Sequence, residues 1–185
     1  MLYLVRHGET EWNAQGRYQG ASDSPLTPRG RDQAQAVGAL LAREIGGPIR
    51  AYVSPLGRTR QTAALIGAHV ALEIVPEPRI AEVSMGSWDG LTRPQIEQRH
   101  PGALGASHDW YFRSLDGETL AAALARIGGW LQAAERPAVV VSHGLAGRLI
   151  RGLYLGLSEP DMLALPVPQD GFFVLTDGRV EFRGA

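Results

Sequence analysis

Two apolar runs in the chain stop at a histidine followed by glycine. Leu2-Tyr3-Leu4-Val5 leads into Arg6-His7-Gly8-Glu9-Thr10, and Ala138-Val139-Val140-Val141 leads into Ser142-His143-Gly144. An imidazole can act as a nucleophile or carry a proton near neutral pH. The guanidinium of Arg6 beside it is a planar multiple donor suited to an anion, with phosphate the obvious candidate. A further basic residue, Arg58, follows Ala51-Tyr52-Val53 within Ser54-Pro55-Leu56-Gly57-Arg58-Thr59-Arg60-Gln61-Thr62. Glu82 opens an irregular stretch bearing Gly86, Trp88, Asp89 and Gly90; a carboxyl there suits a general acid if burial raises its pKa. At either histidine alone, a chance polar strand end fits the residues as well as a site does. The repeated pattern favours convergent chemistry.

Such residues need a scaffold that brings them together. Short apolar runs closed by glycine read as buried strands. In open α/β sheets ligands bind beyond the carboxyl ends of parallel strands, which is where Arg6, His7, Arg58 and His143 fall. Gly8 lets the backbone turn close to a ligand. Helices are expected between the strands. Thr27 is a good N-cap with Pro28 at the first helical position, and Ala34, Val37, Leu40, Leu41 and Ile45 keep helical spacing up to Gly46-Gly47-Pro48. After Arg58 a second helix is expected to turn Ala63, Ala64, Leu65 and Ile66 inward and to offer free amides to an anion at its start, with Arg60 facing solvent. Leu72-Glu73-Ile74-Val75 reads as a third strand. Pro94 to Arg99 reads as a short helix, with His100 and His108 at the surface. A helix follows Asp116-Gly117-Glu118-Thr119, weakened by Gly128-Gly129, and another runs from Leu145 to Leu155. Phe172 to Leu175 and Arg179 to Phe182 around Asp177-Gly178 read as a hairpin forming an antiparallel edge.

Between the first strand and the first helix, Glu9 to Ser24 reads as a polar loop over the site. Asn13 and Gln19 in it could hydrogen-bond a phosphate. Trp12 and Tyr18, with Trp110, Tyr111 and Arg113, are candidates for a substrate wall.

Composition removes several alternatives. The 185 residues fit one domain, 1–185, with no repeat or linker. Cysteine is absent, which excludes disulfides and thiolate zinc sites. All 18 residues counted as Lys+Arg are arginine, which excludes lysine Schiff-base chemistry and the P-loop lysine. A net charge of -1 gives no reason to expect nucleic acid or an anionic membrane as partner. Neither a membrane-length apolar run nor a signal-peptide pattern is present, so a cytoplasmic location is expected.

Four blocks in order resemble the histidine phosphatase superfamily, also called phosphoglycerate mutase-like. They are Arg6-His7-Gly8-Glu9-Thr10 with Asn13, Ser54 to Thr62, Glu82 to Leu91, and Ser142-His143-Gly144. The resemblance implies an α/β fold, a three-layer α/β/α sandwich whose mostly parallel central sheet has an antiparallel edge. It implies catalytic His7, Glu82, His143, Arg6 and Arg58, with His7 becoming phosphohistidine and Glu82 serving the leaving oxygen and then water. Substrate binding would fall to Asn13, Gln19, Gly20 and Gly144 together with Arg6, Arg58 and His143. No cofactor and no metal are expected, the partner being a small phosphorylated substrate; dimers are common among relatives, so a homodimer is allowed. The mutases of the family are longer and carry added basic residues, lysine among them. This chain, short and lysine-free, is expected to be a phosphomonoesterase, with phosphoglycerate mutase activity as the alternative.

Overall fold

The computed structural model describes residues 1–105 and 107–184. Six strands, β1 (Leu2–Arg6), β2 (Ile49–Val53), β3 (Leu72–Pro76), β4 (Ala138–Ser142), β5 (Gly171–Thr176) and β6 (Arg179–Gly184), form one sheet in the order β3-β2-β4-β1-β5-β6. The four strands from β3 to β1 are parallel, whereas β5 and β6 add an antiparallel edge. The β5–β6 turn has two central residues at positive φ, Asp177 at 49° and Gly178 at 71°, the geometry that a two-residue hairpin demands.

Side chains alternate across a strand, and the core divides accordingly. Leu2, Leu4, Tyr52, Val140 and Leu175 pack on one face with residues of α5 (Leu120–Ala133), α6 (Gly144–Leu155) and α7 (Glu159–Ala164). Tyr3, Val5, Ala51, Val53, Val139 and Val141 pack on the other with α2 (Pro28–Leu41) and α3 (Gly57–Ile66). Two helical layers thus enclose the sheet. A third cluster of Met85, Trp88, Leu91, Ile96, Leu104 and Trp110, joined by Tyr18 and Tyr111, forms under α4 (Arg93–Arg99).

Local chemistry accounts for the helix starts. Thr27, Thr119 and Ser158 each accept an N–H of the first turn, contacts of about 1 kcal/mol each. Thr92 and Gln95 form a capping box at α4. The segment expected to be loop holds one further helix, α1 (Glu11–Ala14), capped by Thr10 and Asn13 in the same reciprocal manner.

Two expectations need correcting. The α2 helix stops at Leu41 rather than running to Ile45. The inner face of α3 is Arg58, Thr59, Thr62, Ala63 and Ile66, while Ala64 is exposed and Leu65 half-buried, because that helix turns polar residues toward the site. The α5 helix runs unbroken through Gly128-Gly129 to Ala133. A Cβ at Gly128 would lie 3.9 Å from Leu153 Cδ1, an ordinary contact, and at Gly129 would meet nothing within 4 Å.

Candidate active site

Because β2, β4 and β1 are neighbours, their carboxyl ends lie side by side. The hydrogen-bond ladder continues past them: the His7 amide donates to Ser142 O at 3.0 Å and the Ser54 amide to Val141 O at 3.1 Å. His7 and His143 consequently face each other, ring centroids 5.3 Å apart at 61°.

His7 is buried, with Nδ1 2.8 Å from Gly8 O. A carbonyl only accepts, so Nδ1 carries the hydrogen and Nε2 keeps its lone pair. Burial first, then the charges of Arg6 and Arg58, hold the His7 pKa well below the usual imidazole value. The ring is therefore neutral at pH 7, as a nucleophile must be. Its loop is pinned from behind. The Gly8 amide donates to Thr62 Oγ1 at 3.1 Å, and a Cβ on Gly8 would stand 2.2 Å from Gly30 O. Only glycine fits that crossing.

Three cationic or donor side chains converge on this ring. Arg6 donates one terminal nitrogen to Val167 O; burial pushes its pKa down to about 10, which leaves it charged at neutral pH. Arg58 is fully buried and paired with Asp23 at 3.1 Å, and it donates to Ser22 O at 2.6 Å and Gly20 O at 3.0 Å. Its own amide also goes to Asp23, at 3.2 Å. The anion at the start of α3 is thus Asp23, not a free amide site. His143 Nε2 lies 2.7 Å from Ser54 Oγ. Burial and then the charges of Arg58, His7 and Arg6 keep the His143 pKa well below normal as well. Among the described residues Arg6 Nε, Arg58 Nε and His143 Nδ1 are buried with no hydrogen-bond partner. An unpaired buried donor costs about 1–3 kcal/mol, and three at one locus suit an oxyanion with several lone pairs.

A cavity of about 300 Å³ opens over these groups. Its lining includes Arg6, His7, Asn13, Gln19, Gly20, Arg58, Glu82 and Gly144, so every expected site residue except His143 borders it, and His143 packs behind against His7. Asn13 Oδ1 accepts from the Thr10 amide at 3.2 Å, leaving its NH₂ to donate. Gln19 Oε1 accepts from Ser24 Oγ at 3.1 Å. Gly20, at φ 52°, is packed so closely that a Cβ would meet Asp89 Oδ1 at 1.8 Å. Glu82 takes amides from Leu145 at 3.1 Å and Ala146 at 2.9 Å, the first turn of α6. Among the described residues no three His, Asp or Glu side chains gather closely enough to hold a metal ion.

The five residues expected to form a substrate wall divide between the cavity and elsewhere. Tyr18 and Tyr111 line the cavity, but Trp12, Trp110 and Arg113 do not. Trp110 is buried in the third cluster, Trp12 covers Gly90, and Arg113 is exposed and paired with Asp109. Other contributors carry no local signal in the sequence. Gln169 donates to His7 O at 3.0 Å and to Asn13 Oδ1 at 3.3 Å, fixing the backbone of one and the amide orientation of the other. The segment before it is strapped down by arginines. The carbonyls of Leu165, Pro166 and Val167 accept from Arg148, Arg151 and Arg6 respectively.

The chain as a whole has counterparts among known proteins. A family model described as the histidine phosphatase superfamily (branch 1) matches residues 2–181. A protein named probable phosphoglycerate mutase GpmB from Enterobacter sp. (strain 638) is 37% identical over 172 residues, covering 84% of this chain and 75% of that protein. Phosphoserine phosphatase 1 of Hydrogenobacter thermophilus is 36% identical over 170 residues, covering 87% and 77%. A mycobacterial glucosyl-3-phosphoglycerate phosphatase, solved in complex with VO3, superposes with a TM-score of 0.78 at 28% identity, covering 93% of this chain and 88% of that one. By the match of that family model over residues 2–181, this chain belongs to the histidine phosphatase superfamily.

Proposed function

We propose that the protein is a metal-independent phosphomonoesterase that hydrolyses a small phosphorylated metabolite through a phosphohistidine on His7. The observation that carries this reading is the state of His7, neutral by burial beside two guanidinium groups and held through Nδ1–H by Gly8 O. The Nε2 lone pair attacks phosphorus, the ester P–O bond breaks, and its electron pair leaves with the alcohol oxygen. Glu82 supplies the proton that this oxygen needs. Water then attacks the phosphohistidine, giving a proton to Glu82, and the P–N bond breaks to regenerate neutral His7. Arg6, Arg58, His143 and the Asn13 amide hold the equatorial oxygens as charge spreads. Gln19, Gly20 and Gly144 complete the rim around the phosphoryl group.

A second reading, phosphoryl transfer between the hydroxyls of phosphoglycerate, is favoured by the relative that bears a mutase name. The lack of lysine favours hydrolysis here.

One assay separates them. Phosphate release from a panel of phosphomonoesters is followed with excess chelator, using wild type and His7→Ala. Release by the wild type alone, with label from a phosphate-labelled substrate trapped on His7, is the expected result. Equal release by a folded His7→Ala variant would overturn the nucleophile assignment. Bisphosphate-primed interconversion of 3- and 2-phosphoglycerate outrunning phosphate release would establish the mutase instead.

A further inference from the structure

Four arginines line the cavity, namely Arg6, Arg17, Arg58 and Arg148, and three of them are accounted for. Arg58 is neutralised by Asp23 and holds the loop at Gly20 and Ser22. Arg6 is committed to Val167 O and, in the mechanism above, to the phosphoryl group. Arg17 places Nε on Gln15 Oε1 at 3.0 Å and a terminal nitrogen on Gly90 O at 2.7 Å, so it closes the rim. Arg148 differs from all three. Its Nε donates to Leu165 O at 2.6 Å, which fixes the plane of the guanidinium. Among the described residues its two terminal nitrogens have no hydrogen-bond partner and no carboxylate within ion-pair distance.

Its placement suits the part of a substrate beyond the phosphoryl group. Arg148 follows Gly144 by four residues on α6, on the same helix face, and helical side chains lean toward the amino end. The side chain therefore reaches back along the cavity wall beside Gly144. Its charge acts on Arg6. Tyr111, whose ring centroid lies 5.8 Å from the Arg148 guanidinium carbon, and Tyr18 form the adjoining wall. A planar fork with two paired donors open to a small cavity matches a carboxylate in its bidentate geometry.

We infer that Arg148 is a specificity residue, and that the substrate is a small phosphomonoester carrying a carboxylate which Arg148 holds while His7 takes the phosphoryl group. This deepens the phosphatase reading and rests on it. The purified protein is tested with O-phosphoserine and O-phosphoethanolamine, which differ only by the carboxylate. The ratio of their kcat/KM values is read within each variant, so any general loss of activity cancels. A charge-assisted bidentate contact corresponds to a preference of about 10- to 100-fold for phosphoserine in the wild type. Arg148→Gln brings the ratio near one, and Arg148→Lys, which keeps charge without the fork, falls between. Arg43→Gln, removing an exposed charge outside the cavity, leaves the ratio as in the wild type. A wild-type ratio near one, or a high ratio surviving in Arg148→Gln, would overturn the inference while hydrolysis itself upholds the phosphatase. If neither compound is hydrolysed, the phosphatase reading is left to the wider panel and the His7→Ala control described above, and calorimetric binding of the same pair decides the subsite. Tighter phosphoserine binding lost in Arg148→Gln supports it, and equal binding refutes it.

Discussion

Acidification should weaken this protein through its two facing histidines before its carboxylates titrate. His7 and His143 are both buried, and both have pKa values held well below 6.5 by that burial and by the neighbouring cations. Between those lowered values and 6.5 the unfolded chain binds protons that the folded protein refuses. Stability therefore rises with pH in this window and falls as pH drops below the unfolded value. From pH 7.0 to pH 5.5, an imidazole that titrates at 6.5 only when unfolded removes about 1.3 kcal/mol, and the pair about 2.5 kcal/mol. Burial also raises the Asp89 pKa, an effect of opposite sign, so the measurement is a difference. Urea unfolding is followed by circular dichroism at pH 7.0, 6.0 and 5.5 for the wild type and for His7→Asn/His143→Asn. The wild type should lose about 2.5 kcal/mol more than the variant over this range. Parallel pH dependences would refute the reasoning, since the two imidazoles would then not be kept neutral by the fold.

Further outcomes follow from individual contacts. Gln169→Leu removes the donor shared by His7 O and Asn13 Oδ1, and kcat should fall about tenfold while Gln169→Asn recovers part of it; steady-state kinetics on any turned-over phosphomonoester reads this. Ser54→Ala strips His143 Nε2 of its 2.7 Å partner and should lower kcat/KM by about 5- to 30-fold with little change in melting temperature. Gly8→Ala drives a methyl into Gly30 O, so thermal unfolding should show a loss of about 3 kcal/mol or more, or no folded protein.

The parts of the site that were legible in the sequence share one property: a sharp local change. Apolar runs ending at His7 and His143, and the glycine after each, mark strand ends without any knowledge of the fold, and the parallel order then places Arg58 beside them. Thr27-Pro28 and Asp177-Gly178 are equally local. What escaped depends on distant chain. Gln169 is one polar residue between Pro168 and Asp170, and its importance comes wholly from a contact with residues 7 and 13. Arg148 sits in an amphipathic helix where an arginine is ordinary. Trp12, Trp110 and Arg113 have types that suit a pocket wall, whereas packing against Gly90 places Trp12, packing with Met85 and Leu104 places Trp110, and an ion pair with Asp109 holds Arg113 at the surface. The inner face of α3 was misjudged for a related reason, as the site requires that helix to bury Arg58, Thr59 and Thr62.

The arginine-held strap at Leu165–Val167, with Gln169 after it, has a consequence for how the enzyme is assembled in time. It is the last segment of the chain to reach the site, and it closes on Arg6 and His7 across nearly the full length of the sequence. Contacts of such high separation reward the chain only after most of its entropy has been lost. The β1–β5 pairing closes the same span, so the strap docks with or after that pairing, and the orientation of Arg6 and Asn13 is completed in that step. Its release requires only a few hydrogen bonds to part, without melting the sheet. During refolding, recovered turnover should accordingly trail recovered secondary structure, and mild denaturant should silence the enzyme before it unfolds it.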